Sequence, residues 1–326
     1  MDATSPTDRK VAVIGAGIGG LSAALILAHR GFDVTIYEAR STPGGKIRQE
    51  TAGGPPTDCG PTVFTMDWAF RAIFEAADET LEEHLTIDRA DLLARHAWPD
   101  GSRLDLFCDL DRSAEAVRKL AGEQDARAFR AFSSRSQRIF DVLSPKFLKR
   151  QRPGFWSMAG RVGPNVRLGL DMAPHLTLAQ LLRRTFRDPR LRQLFGRYAT
   201  YVGGSPYLTP AMMMLIWHAE RTGVWTVRGG MYEIVRQLTS LIENRGGRVR
   251  CGEPVSQILE KDGAVTGVHL KSGEDAPADI VVYNGDVAAL AAGLLPSPNV
   301  PRPTPPSDRS LSALTAVVYA TVEGFP

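Results

Sequence analysis

The feature that most constrains how this chain can fold is the glycine-rich segment Gly15-Ala16-Gly17-Ile18-Gly19-Gly20. It follows a short apolar run at residues 10–14 and precedes an apolar, alanine- and leucine-rich stretch at residues 20–30, with Gly31 as a stop signal. A second β-type run at residues 34–38 ends in an acid, Glu38. Strand, glycine turn, helix and strand in that order predict a β-α-β unit, which closes right-handed into a parallel sheet. Residues 11–28 carry no charge, long enough for a membrane span of about 18 residues. Gly15, Gly17, Gly19 and Gly20 break the run into strand, turn and helix, so the span reading is set aside. No other stretch could span, and the two aspartates before residue 10 are unlike the basic start of a secretory signal.

The segment fits G-x-G-x-x-G with Gly15, Gly17 and Gly20 in its slots. The first glycine permits the tight turn, the second lets backbone approach a pyrophosphate, and the third lets helix and strand pack closely. The helix N-terminus then offers free N–H groups and a partial positive charge to phosphates. Glu38 stands where a carboxylate can accept both hydroxyls of an adenosine ribose and disfavour a 2′-phosphate. That points to FAD or NAD rather than NADP; a ligand-free α/β turn is the plain alternative.

The 326 residues suggest two domains at roughly 150 residues each. With 43% hydrophobic and 23% charged residues the chain is of ordinary globular composition. A net charge of +3 is too mild to argue for nucleic acid. Cys59, Cys108 and Cys251 are scattered, which suits a reducing compartment and gives no metal-ligand spacing. After residue 66 the texture becomes helical (68–77, 112–141, 178–182 and 211–221), apart from a hairpin at 92–98 and 102–107 around Pro99-Asp100-Gly101. From Gly229-Gly230 the first texture returns. Ile234, Val235, Leu238, Leu241 and Ile242 form a helical stripe, and short strands follow at 248–250, 255–259, 265–270 and 278–283. The fold class expected is α/β: a Rossmann-like dinucleotide-binding domain from residues 1–75 and 221–296, with an inserted helix-rich domain from 76–220 and 297–326.

Motifs downstream of Glu38 separate FAD from NAD. Glu38-Ala39-Arg40, Pro43-Gly44-Gly45-Lys46 and Asp58-Cys59-Gly60-Pro61-Thr62 together resemble the extended fingerprint of the flavoprotein amine oxidase and carotenoid desaturase superfamily. Gly229-Gly230-Met231, Pro254-Val255 and Asn284-Gly285-Asp286 resemble its second FAD-binding segment. Within it, the Asp58–Val63 stretch looks like the D-x-G-P-T motif of phytoene-type desaturases, and Leu194-Phe195-Gly196-Arg197-Tyr198 through Pro206 resembles their middle motif. Gly60 to Met66, His96-Ala97-Trp98-Pro99-Asp100-Gly101 and residues 198–204 look most like the 1-hydroxycarotenoid 3,4-desaturase branch.

The resemblance implies FAD as cofactor, bound by Gly15, Gly17, Gly20, Glu38, Arg40, Gly44, Gly45, Lys46, Gly60, Pro61, Thr62 and the backbone of Val255. Lys46, beside its glycine neighbours, reads as a phosphate partner, with a solvated lysine as the plain alternative, and Val255 as an adenine contact or a core valine. The implied reaction is desaturation of a carotenoid polyene, with hydride passing from an allylic carbon to the flavin and electrons going on to oxygen or a quinone. Other superfamily activities (phytoene desaturase, carotenoid isomerase, amine or protoporphyrinogen oxidase) remain alternatives, as does an inactive fragment. No acid/base pair, nucleophile triad or metal cluster emerges, so no catalytic or metal-binding residue is assigned.

A polyene substrate implies an apolar tunnel and contact with a membrane. Met212-Met213-Met214-Leu215-Ile216-Trp217 reads as a tunnel lining or as an ordinary buried helix, and His218 as structural. Lys146, Lys149, Arg150, Arg152, Arg161 and Arg167, interleaved with Phe147, Leu148, Phe155 and Trp156, read as an anionic-membrane dock or as a solvated loop. The expected location is cytoplasmic and peripheral to a membrane. The family resembled also places a glycine-rich flavin segment after the region matching Asp286. Its absence here predicts a chain that alone binds FAD weakly or not at all.

Overall fold

A computed structural model describes residues 9–51, 56–61, 63–144 and 166–295. They fall into two compact units, one from the described residues up to Asp88 together with those from Trp225, the other Arg89–Val224.

The first unit is built on a four-stranded parallel sheet. Lys10–Ile14 lies between Asp33–Glu38 and Ile280–Tyr283, and Arg248–Cys251 pairs on the far side of Asp33–Glu38. Side chains alternate faces along a strand, and both faces here are covered. Val11 and Val13 join Leu21 and Leu25 of the helix Ile18–His29, and Leu238 and Ile242 of the helix Tyr232–Asn244, in one core. Ala12 and Tyr37 point the other way, onto Val268, Leu270 and Ala276. These belong to an antiparallel sheet of Val255–Lys261, Ala264–Leu270 and Asp275–Pro277. The layers are thus helices, parallel sheet, antiparallel sheet. This is the α/β class expected, with the β-α-β unit in its expected place.

The second unit is mainly helical. Leu110–Leu143 starts at Asp109, whose side chain accepts the Arg112 N–H, and Gly122 interrupts it with a left-handed backbone (φ 83°). A single continuous helix cannot pass through that conformation. Thr177 and Gln180 form a reciprocal capping box at the start of Leu178–Thr185. The core is aromatic: Phe129, Phe132, Phe186, Phe195, Tyr198 and Trp217 pack together, and the Trp217 indole donates to Ser133 Oγ at 2.8 Å. The predicted hairpin is present as Leu92–Ala97 and Arg103–Phe107.

One expectation needs correction. The helix expected over 211–221 is a 3-10 turn at Ala211–Met214 followed by an α-helix at Leu215–Thr222. Met214 and Trp217 are buried in the core, and Met212 and Met213 pack against it. That arrangement matches the ordinary-core reading of the methionine run. The basic and aromatic stretch from Lys146 to Arg161 lies outside the described residues.

Candidate cofactor site

The glycine segment forms the turn its spacing demands. Gly15 is left-handed (φ 97°), and its N–H continues the sheet by donating to Tyr37 O at 2.8 Å. A Cβ on Gly20 would stand 2.1 Å from Gly15 O, so only glycine lets the helix start this close to the strand. The first N–H groups of the helix Ile18–His29 have no partner within it and face the turn.

Glu38 ends the second strand, only 8% exposed. Its Oε2 accepts the Ala16 N–H at 2.8 Å and its Oε1 accepts the Arg40 N–H at 3.0 Å. The carboxylate therefore first holds the glycine turn and the following loop in place, each oxygen keeping a lone pair for a further donor. Residues 43–45 close over the turn. Gly44 N–H donates to Ala16 O at 2.8 Å, Gly44 bridges Gly17, and a Cβ on Gly45 would meet Gly17 Cα at 3.1 Å. Gly15, Gly17, Gly20, Glu38, Gly44 and Gly45 are thus one constellation.

The other predicted residues lie as follows. Arg40 is exposed, its N–H on Glu38 and its carbonyl accepting from Gly252. Lys46 is exposed, and a Cβ on Gly60 would meet its carbonyl oxygen at 2.1 Å. Pro61 is exposed, and Thr62 lies outside the described residues. Val255 stands on the rim of a cavity of about 240 Å³, lined also by Gly15, Glu38, Pro254, Tyr283 and Gly285. The ladder is irregular between Val255 and Gln257, a local break of the kind found beside ligand sites. The cavity opens at the carboxyl ends of the parallel strands, where ligands of open α/β sheets bind.

Two polar residues join the constellation that sequence reasoning did not assign. Asn284 follows the last parallel strand, and its amide sits against the glycine turn, Nδ2 donating to Gly15 O at 3.4 Å. Cβ atoms on Gly17 or Gly19 would run into that amide. Asp58 accepts the Met231 N–H at the start of Tyr232–Asn244 and, through Oδ1, the Gln49 side chain at 3.0 Å. It ties the D-x-G-P-T segment to Gly229-Gly230-Met231; the sequence signal was the pairing of an aspartate with a distant glycine doublet. Nearby, burial first and then the Glu38 charge push the Cys251 thiol up, keeping it protonated. Among the described residues, ligand atoms of Glu79, Glu83 and His84 lie within 4.8 Å of one another. The Glu79 carboxylate is already held by Arg245 and His84.

Residues 18–323 match the family of flavin containing amine oxidoreductases. The chain belongs to that family. It is 48% identical over 321 residues to a hydroxyneurosporene desaturase of Rubrivivax gelatinosus, covering 97% of this chain and 61% of the relative. It is 46% identical to a protein of the same name from Cereibacter sphaeroides, covering 97% and 64%. An oxidoreductase structure from Methanosarcina mazei superposes with a TM-score of 0.58 at 18% identity, over 88% of this chain and 60% of that one. The fold is therefore shared with solved oxidoreductases. The chain spans less than two thirds of the length of these curated relatives.

The flavin cofactor of the family, FAD, fits what is present. A glycine cradle that side chains would fill, a buried carboxylate with lone pairs to spare and an apolar slot beside it suit a pyrophosphate, a ribose and a ring in turn.

Proposed function

We propose that this chain serves FAD-dependent desaturation of a carotenoid of the hydroxyneurosporene type. The observation that carries the reading is identity of 46–48% to hydroxyneurosporene desaturases along 97% of the chain. The first unit holds the cofactor: Gly15, Gly17 and Gly20 receive the pyrophosphate, Glu38 the ribose, and Pro254 and Val255 the adenine edge. Arg40, Gly44, Gly45, Lys46, Gly60, Pro61 and Thr62 complete the cofactor contacts. The second unit belongs to the substrate domain, whose limits we place at Asp88/Arg89 and Val224/Trp225 rather than at residues 75/76 and 220/221. Bound there, FAD supplies the electron-pair acceptor that forming a new C=C bond requires. The protein's part is to seat the polyene, exclude water and fix which carbons react.

The polyene is lipid-soluble, and among the described residues no helix is long and apolar enough to cross a membrane. Peripheral docking on the cytoplasmic membrane surface fits both. Tyr201, Val202, Tyr207 and Leu208 expose apolar surface in one short stretch of the second unit, which supports such contact. Electrons pass on to oxygen or a quinone.

The test supplies hydroxyneurosporene, and separately amines, to the FAD-loaded protein. A red shift of the polyene spectrum, from one more conjugated double bond, is expected. Peroxide release with amines and no change in the polyene would refute the reading. Flotation with anionic liposomes tests the docking; protein remaining at the bottom of the gradient would refute it.

A further inference from the structure

Residues 183–197 of the second unit hold six arginines, Arg183, Arg184, Arg187, Arg190, Arg192 and Arg197, against one acid, Asp188. Ion pairs compensate two of the six. Arg190 takes Asp188 and Asp100, and Arg197 takes Glu220. The contacts of two others are with neutral groups. The Arg183 guanidinium lies 5.9 Å from the centre of the Tyr207 ring. Arg192 donates Nε to Phe186 O at 2.8 Å and Nη2 to Arg187 O at 2.9 Å. A ring face or a carbonyl fixes a guanidinium without cancelling its charge.

Arg183, Arg192 and Arg197 line one cavity of about 410 Å³, together with the neutral side chains of Gln193 and Thr200, and no acid stands in its wall. That volume lies within the range of small-ligand sites, about 300–1,000 Å³. Guanidinium offers a planar fork of N–H donors and is the side chain best suited to a phosphate. With Arg197 compensated by Glu220, two positive charges remain for an anion in this cavity.

The rim separates one kind of phosphate from another. Tyr207, also in the wall, is 63% exposed, and Leu208 beside it is 76% exposed. Tyr201 and Val202, which follow Thr200, are exposed as well. A free phosphate ion gives these side chains nothing to bury against. A phospholipid brings phosphate and hydrocarbon together.

We propose that this cavity binds the phosphate of an anionic phospholipid, with Arg183 and Arg192 on the head group and Tyr207 and Leu208 in the acyl region beside it. The proposal rests on the peripheral-docking reading above and gives that docking a site. Arg184 and Arg187 are exposed and outside the cavity wall; they contribute only the general attraction of basic residues to an anionic surface.

The experiment titrates the full chain with vesicles of phosphatidylcholine alone and of equal parts phosphatidylcholine and phosphatidylglycerol, reading the bound fraction by flotation. Wild type is expected to bind the mixed vesicles at least about 10-fold more tightly. Losing one basic residue near an anionic surface weakens binding about 5-fold. Losing hydrogen bonds to a charged group weakens it about 10-fold or more. Arg183→Gln should therefore lose at least about 10-fold, and the same change at its neighbour, Arg184→Gln, no more than about 5-fold. Both positions are exposed, and far-UV circular dichroism verifies that both variants are folded. Equal losses in the two variants, or equal binding of the two vesicle types, overturn the site and leave peripheral docking intact; binding to neither vesicle overturns both. Inorganic phosphate that binds the chain in calorimetry as tightly as the mixed vesicles do overturns the lipid in favour of a soluble anion.

Discussion

Replacing Glu38 by Gln separates a carboxylate that organises the site from one that only greets a ligand. In the native chain each oxygen accepts one backbone N–H, from Ala16 at 2.8 Å and Arg40 at 3.0 Å. Hydrogen bonds to a charged acceptor contribute about 1.5–3 kcal/mol each. Glutamine keeps one acceptor at neutral strength, about 1 kcal/mol, and turns an NH2 group toward the other N–H, so the substitution costs roughly 2–4 kcal/mol. At about 2–4 °C per kcal/mol, the first unit should melt roughly 4–16 °C lower. Because the same two N–H groups position the glycine turn and the loop after the second strand, flavin affinity should fall at least about 10-fold, or 1.4 kcal/mol. Thermal unfolding by circular dichroism and quenching of FAD fluorescence measure the two effects. A Glu38→Gln protein that melts within about 1 °C of wild type and binds FAD within about twofold would refute the reasoning.

Three further perturbations follow from other parts of the molecule. Gly20→Ala places a methyl 2.1 Å from Gly15 O; the helix must move off the strand at a cost of about 1–3 kcal/mol, and FAD titration should show a loss of affinity that the exposed control Lys261→Ala, away from the site, does not. Asp125, 2% exposed, accepts the N–H groups of Arg187 and Asp188, each at 2.8 Å. Asp125→Ala strands two buried donors and should lower the stability of the second unit by about 2–5 kcal/mol, read from its urea midpoint. Hydrogen bonds first from Arg245 and then from His84 hold Glu79 below its usual value of 4.5. The unfolded chain therefore takes up the proton at higher pH than the folded one. This stabilisation is full above the unfolded value and drains away as pH falls through the folded one. Arg245→Gln should flatten that acid limb in urea titrations from about pH 6 to 3, and an unchanged slope would refute the pairing.

The parallel sheet was legible because its signals are local and redundant. An apolar pentapeptide, a glycine turn and an acid at a strand end each specify the same β-α-β unit, and Gly20 against Gly15 O accounts physically for the third glycine. The helix Tyr232–Asn244 was equally plain, since its five buried residues repeat at helical spacing. The strands Phe64–Thr65, Ile87–Arg89 and Asp275–Pro277 left no comparable trace. Two or three residues are too few for an alternating pattern, and their pairing is set by distant partners. Gly122 shows the converse: its neighbours have strong helical preference, and one left-handed residue breaks the helix without altering the apolar stripe.

The same distinction explains what was missed at the site. Glycines announce themselves because they solve a backbone problem in the residues beside them. Asp58 and Asn284 solve a problem posed by elements far away in sequence, so the motifs they stand in mark the segments but not the pairing. Asp58 reaches Met231, 173 residues on, and Asn284 reaches back 269 residues to Gly15. Both are polar residues fixing a backbone group where two motif segments converge, so each should matter for holding the cradle in shape rather than for contact with a ligand.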